Sequence, residues 1–568
     1  MQNTRQYMMA VLGIIGLVGL ASSGPAQSQS TVTISLLALN DLHGHLEANA
    51  FRMSNPADRS IITTVQAGGI EALASLVKDA RARNPHTLVV GAGDLVGASP
   101  LVSSLLADEP TIDALNGLGL AVSALGNHEL DKGYKELLRL QHGGCTEAFD
   151  AAKACQYGAY KGAAFQYIAA NVRHTDTGAL LVPAYVVTTI GGVDVAFVGA
   201  VVKDTPTIVV PSGVAGLTFA DEADAINSFI PELRARGIET IIVLIHQGGS
   251  ATDSFDVGDC ATLSGPIVDI VKRLDPTIDV VISGHTHQGY QCRVDGRLVT
   301  QGEAFGHLVT QLDLTIDTQT KDMVTVTSRN IVVDPNAFAK DAAMSAILTT
   351  ARSRTAPIAT RPVATLAVES LTRDATPAGE STLGDVIADA QLWATAAPAA
   401  EGAQIALMNP GGIRANLPPG GANPDRTVSY GDIFTVQPFG NSLVVMTLTG
   451  AQLKAVLEQQ FDNPAPGQQR MLQISAGFTY TYDPKKAAGE RVIAMQLQGK
   501  PVDPAAPYRV VVNSFLAEGG DRFTILRQGT DRLGGSLDLE AFQGYLRTME
   551  LAGTPVGAGP RNRISMVP

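Results

Sequence analysis

A chain of 568 residues, 45% of them hydrophobic, carries apolar material for more than one core, and at roughly 150 residues per domain its length argues against a single small domain. Its formal net charge of -13 excludes a broad nucleic-acid or anionic-membrane surface. An anionic ligand has to be met locally, by metal ions or a few arginines.

In chain order, the first element reads as a secretory signal. Arg5 supplies the positive region, residues 8–20 the apolar stretch, and small residues fill 21–26, with cleavage after Ser23 or Ala26. The apolar stretch is shorter than the about 20 residues a membrane span needs. A second apolar stretch, 185–202, is interrupted by Thr188, Thr189, Asp194 and the pair Gly191-Gly192, and reads as a two-stranded hairpin. The C-terminus shows no hydrophobic tail of the lipid-anchor kind. The expectation is a periplasmic or secreted protein with no stable membrane anchor after signal cleavage. Cys145, Cys155, Cys260 and Cys292 lie outside every ligand-bearing motif, and an even count behind a signal favours disulfides, paired 145 with 155 and 260 with 292.

From Thr31 to about residue 333, strand and helix patterns alternate, which implies an α/β sandwich with buried strands. GGIEALASLVKDARAR and EADAINSFIPELRARG are its amphipathic helical stretches. Five strand-like runs, TVTISLLALNDLHG, TLVVGAGD, AVSALGNHELD, TIIVLIHQG and DVVISGHTHQG, each end in metal-ligand residue types. They deliver Asp41, His43, Asp94, Asn127, His128, His246, His285 and His287. Parallel sheets gather functional groups at the carboxyl ends of their strands, so five such ends form one rim dense in oxygen and nitrogen donors. One GNHE or GHTH alone is as often a turn with a satisfied histidine; five in this order are not. Carboxylate, amide and imidazole donors without a thiolate fit two divalent ions of Zn, Mn, Co or Fe. Such a pair clamps a phosphate ester for in-line attack by metal-bound hydroxide. His128 stands beside Asn127, and Asp131 in the same turn can orient it as a proton donor to the leaving group. The other histidines, His45, His86, His142, His174 and His307, fit surface or loop positions.

Residues 336–362 are alanine-rich and helical, with Pro357 and Pro362 toward the end, and read as an interdomain helix or linker. From 363 to 568 a second domain carries its own helix, STLGDVIADAQLWATAA, and the glycine-rich loops MNPGGIRAN and FLAEGGDRF. Arg414 follows Gly411-Gly412, and its planar guanidinium can hold a terminal phosphate bidentately. Phe439 and Phe515 lie near loop glycines, where two rings can sandwich a base.

The motifs NDLHGHLE, GAGD, GNHELD, LIHQG and GHTH, with GESTLGDVIADA, NPGGIRAN, VQPFGNSL and SFLAEGGDRF, resemble the 5′-nucleotidase family of the calcineurin-like metallophosphoesterases, which includes bacterial periplasmic UDP-sugar hydrolases. The resemblance covers about residues 36–523. It implies a four-layer α/β/β/α metallophosphoesterase sandwich over 31–335 and a second α/β substrate-binding domain over 363–568. It also implies one ion on Asp41, His43 and His287, another on Asn127, His246 and His285, and Asp94 bridging. His128 with Asp131 matches the catalytic dyad, and Asn409, Arg414, Phe439, Phe515 and Asp521 line the nucleotide pocket. The expected activity is hydrolysis of nucleoside 5′-monophosphates, with UDP-sugars or other nucleotides as further substrates and small-molecule nucleotides, not nucleic-acid polymers, as partners. A related 2′,3′-cyclic-nucleotide phosphodiesterase/3′-nucleotidase is the alternative. A catalytically silent nucleotide-binding protein is a second, disfavoured because all seven ligands and the dyad are present. The chain departs from the family where Asp385 replaces asparagine and Arg522 replaces glycine, and where no phosphate-binding arginine follows the 381–397 helix. Arg522 offers a substitute charge. The native metal and the oligomeric state, monomer included, stay open.

Overall fold

The structure is a computed structural model and describes residues 30–567 apart from 56–57, 146–149, 210, 398–401, 422 and 465. The signal-like segment, 1–26, lies outside the described residues.

Two six-stranded sheets occupy residues 31–332. The first runs Met323–Val332, Leu308–Asp317, Thr31–Leu39, Thr87–Ala92, Leu120–Ala124, Gln166–Ile168, its last four strands parallel. The second runs Gly289–Val294, Arg297–Gly302, Val280–Ser283, Thr240–His246, Val193–Val201, Tyr185–Ile190, its middle four parallel. The sheets face each other: Leu36, Val90 and Val122 of the first pack with Phe197, Ile242 and Leu244 of the second in one buried cluster. Helices Ile70–Arg83, Glu109–Leu118, Tyr134–His142 and Ala342–Ala359 cover the outer face of the first sheet. Helices Glu222–Asn227, Ile230–Ala235 and Pro266–Arg273 cover the second. The result is the four-layer sandwich. Strands covered on both faces need apolar side chains on both, which is why every residue of TIIVLIH is buried.

Beyond residue 361 lie a five-stranded sheet, ordered Gln473–Ile474, Ile405–Met408, Pro507–Asn513, Ser442–Thr449, Thr530–Leu537, and a four-stranded one, Lys500–Pro501, Val492–Leu497, Phe478–Tyr482, Ile564–Met566. Both contribute to one buried cluster, and helix Thr382–Thr395, whose first turn is capped by the Ser381 hydroxyl accepting from Gly384 N–H, packs in another.

The 185–202 stretch is the expected hairpin, and both expected disulfides are present. One local reading changes, and other features are new. The amphipathic stretch 222–237 breaks into two short helices, because Pro231 cannot continue the first and starts the second. Helix Ala342–Ala359 contains Pro357 near its end. It buries Met344, Leu348 and Ala351 against the first sandwich, and Arg352 pairs with Glu47. A long hairpin, Ala48–Asn55 with Asp58–Gly68, exposes Ile61, Ile62 and Val65. Among the described residues no helix is long and apolar enough to cross a membrane.

Candidate metal centre

The parallel strands of both sheets end at a common rim, and the expected donors come together there. Asp41, His43, Asp94, His285 and His287 all have φ between +47° and +76°, the left-handed region that non-glycine residues rarely adopt. Each such residue costs on the order of 1–3 kcal/mol, and such strain concentrates where surrounding bonds enforce it. Those bonds are visible. Asp41 N–H donates to Gly93 O (3.0 Å) and His43 N–H to Asp94 O (2.9 Å). His285 N–H donates to the Asp41 carboxylate (3.0 Å), and the Asn40 amide donates to Asp41 Oδ2 (2.8 Å).

The donors form two groups sharing Asp94. In one, His287 Nε2 lies 3.3 Å from Asp41 Oδ1 and 3.1 Å from His43 Nε2, which is 3.7 Å from Asp94 Oδ2. In the other, His246 Nε2 lies 2.9 Å from the same Oδ2, and His285 Nδ1 lies 2.9 Å from Asn127 Oδ1. Ligands about 2.0–2.2 Å from one tetrahedral ion stand roughly 3.3–3.6 Å apart, so these separations suit a shell around a cation. Asp41, His43 and His287 can hold one ion, and Asp94, His246 and His285 another.

Tautomers support the same reading. His43 Nδ1 faces Gly97 O (2.9 Å) and His246 Nδ1 faces Ala92 O (2.8 Å). Carbonyl oxygens only accept, so each Nδ1 carries the hydrogen and each Nε2 presents a lone pair to the centre. His246 Nε2 is buried and, among the described residues, has no hydrogen-bond partner; its lone pair is set against a carboxylate. That opposition calls for a cation. Burial opposes a charge on His246, but Asp94 outweighs it and raises its pKa to about 10. Burial, aided by His246, pushes His285 down to about 3, leaving it a neutral donor.

His128 Nδ1 lies 2.8 Å from Asp131 Oδ2, and its backbone N–H donates to Asp94 Oδ1 (2.8 Å). Burial lowers its pKa, but Asp131 and Asp94 more than offset this and the net shift is upward.

From the C-terminal half, Asn409 Nδ2 donates to Asp521 Oδ2 (2.8 Å), and both residues are buried. Arg414 reaches the same region: burial lowers its pKa, while Asp131, Asp94 and Asp41 across the cleft hold its charge in place. Among the described residues its guanidinium holds no ion pair; its one hydrogen bond is a long 3.5 Å contact to Gly411 O. Phe439 stacks on His128 with ring centroids 5.8 Å apart, and its ring lies 5.8 Å from the Arg414 guanidinium. Phe515 packs against Gly520, and among the described residues no ring contact joins it to Phe439.

Several neighbours escaped the sequence reading. Arg373 donates to Arg414 O (2.8 Å), so a second arginine stands upstream of the 382–395 helix rather than after it. Arg470 pairs with Asp521. Arg522 does not supply the substitute charge, because it is paired with Asp204 of the first half and bonded to Pro464 O. His307 is buried, not superficial: it bonds Glu303 (2.8 Å) and Asn49 (2.7 Å) and stacks on Phe51. Glu129, inside GNHELD, is buried beneath the turn.

Two family models match the chain: calcineurin-like phosphoesterase over residues 34–289 and 5′-nucleotidase C-terminal domain over 359–528. The cell wall protein Lmo0130 of Listeria monocytogenes is 32% identical, over 98% of this chain and 72% of its own length. The endonuclease YhcR of Bacillus subtilis is also 32% identical, over 95% of this chain, which spans only 41% of that protein. The crystal structure of a 5′-nucleotidase precursor from Thermus thermophilus superposes with a TM-score of 0.76 at 28% identity, covering 94% of this chain and 99% of the other.

Proposed function

The chain belongs to the 5′-nucleotidase family, in which a calcineurin-like phosphoesterase domain precedes a 5′-nucleotidase C-terminal domain, and on that premise we propose that it hydrolyses nucleoside 5′-monophosphates in a secreted or periplasmic setting. The observation that carries the reading is Arg414, a partly exposed guanidinium without a carboxylate partner among the described residues, set across the cleft from the His/Asp cluster. An unpaired cation there suits a phosphate bridging both halves of the molecule. The catalytic part is assigned to residues 31–335 and the nucleotide-binding part to 363–568, joined through 336–362.

Asp41, His43 and His287 would hold one divalent ion and Asn127, His246 and His285 the other, with Asp94 bridging. When bound, the ions polarise the phosphoryl group and lower the pKa of the attacking water. His128 Nδ1–H donates to Asp131 (2.8 Å), which fixes the ring so that Nε2 can pass a proton to the leaving alkoxide. Arg414, with Arg373 beside it, binds the phosphate oxygens and opposes the charge that develops on them. Asn409 and Asp521 hold the nucleoside, and Phe439 and Phe515 supply ring faces for the base.

A second reading, hydrolysis of phosphodiesters including 2′,3′-cyclic nucleotides, is favoured by the likeness to a protein named as an endonuclease. A panel of AMP, 3′-AMP, 2′,3′-cyclic AMP and UDP-glucose separates the two. Preferential release of phosphate from AMP supports the 5′-nucleotidase reading; preference for the cyclic or 3′ substrate replaces it.

A further inference from the structure

Glu129 sits between His128 and Leu130 in a short 3-10 turn and is 3% exposed. Its carboxyl group meets backbone N–H groups. Oε2 accepts from the N–H groups of Asp94 (2.9 Å) and Gly126 (2.7 Å). Oε1 accepts from Leu95 N–H (2.7 Å), with Val96 N–H more distant at 3.4 Å. Three consecutive amides, 94 to 96, therefore converge on one carboxyl group.

The two loops held this way carry Asp94 and Asn127. Asp94 has φ +51° and follows Gly93 at φ +86°, so the loop needs an external hold to keep this shape. The approach is close: a Cβ on Gly126 would lie 2.1 Å from Asp94 Oδ1 and 2.7 Å from Glu129 Oε2. Four amides meeting one carboxyl group let a single side chain hold a strained loop.

We infer that Glu129 is a positioning residue that fixes Asp94 and Asn127 at the separation two cations require, and does so before any cation arrives. This rests on the reading of Asp94 and Asn127 as ion-holding residues. Glu129 itself binds no ion and touches no substrate.

Hydrogen exchange on the chelator-treated, full-length wild-type protein is one test. If Glu129 holds the loops, the amides of Asp94, Leu95 and Gly126 stay protected without ions, within about tenfold of their rates in the ion-loaded protein. Free exchange of these amides on chelation means the ions hold the loops, and overturns the inference. The second test titrates Mn²⁺ into chelator-treated Glu129→Gln by calorimetry. The amide keeps one acceptor and sets an NH₂ against backbone N–H groups, so ion affinity should fall by about 10–100-fold. A lower unfolding midpoint with unchanged affinity would indicate a general structural role and also overturns it. Should the variant not fold, the exchange measurement decides alone. A wild-type protein that takes up no Mn²⁺ defeats the proposed function instead, and the exchange result still tests the hold of Glu129 on its loops.

Discussion

His128 separates proton transfer from ion binding. Because Asp131 rather than an ion holds its Nδ1, His128→Ala should lower kcat by about 10²–10⁴-fold while ion content stays at the wild-type level. The loss should shrink for a nitrophenyl phosphate, whose leaving group needs no proton; steady-state kinetics on both substrates with elemental analysis checks this. Asp385 poses a different residue-scale question. It is buried, its Oδ1 has no hydrogen-bond partner among the described residues, and burial, opposed by Arg563 and aided by Glu380, pushes its pKa to about 8. The unfolded value is about 3.9, so the folded state favours the neutral acid. Stability present below the unfolded pKa is then lost as pH rises toward the folded one. Asp385→Asn keeps the neutral form at every pH, so its gain in Tm over wild type should grow between about pH 5 and about pH 8. Melting curves across that range test it, and a constant difference contradicts it. The seven donors and the dyad were legible because each follows an apolar run that fixes where it points. Glu129 and His307 were not: their burial depends on backbone and hairpin partners far away in sequence.

Strand-end turns are the elements that make the centre, and their glycines are where sequence dictates shape. A Cβ at Gly126 would collide with Asp94 Oδ1 at 2.1 Å. Overpacking of this kind costs about 1–3 kcal/mol. Gly126→Ala should therefore lower Tm by a few degrees and reduce ion content; elemental analysis beside a thermal melt reads both. At this scale the strands were legible from continuous apolar runs, and the 382–395 helix as an element of the second domain. The break at Pro231 was not, since an i, i+3, i+4 pattern persists across a kink when both short helices face one core. The hairpin of 48–68 escaped because its strands form a separate two-stranded sheet and show no buried apolar run. Helix Ala342–Ala359 was legible as an element, but its packing on the first sandwich follows from Met344 and Leu348, whose partners the sequence does not name.

Across the whole molecule, the two halves meet at the centre itself. Phe439 lies over His128, Arg414 faces the carboxylates, and Arg522 pairs with Asp204. A nucleotide held there would place its phosphate on the cluster and its base toward the C-terminal half. A base–ring stack is worth roughly 1–3 kcal/mol by alanine substitution. Phe439→Ala or Phe515→Ala should raise KM for AMP by about 5–150-fold, the factor those energies imply, and barely change hydrolysis of a base-free phosphate ester. Equal losses on both esters would remove the stacking role. The most direct measurement of the dimetal centre is elemental analysis of the purified chain paired with AMP hydrolysis before and after chelation. The expected result is about two divalent ions per chain, activity abolished by chelator and restored by Mn²⁺, Co²⁺ or Zn²⁺. Undiminished hydrolysis by a chelated, ion-free chain would contradict it.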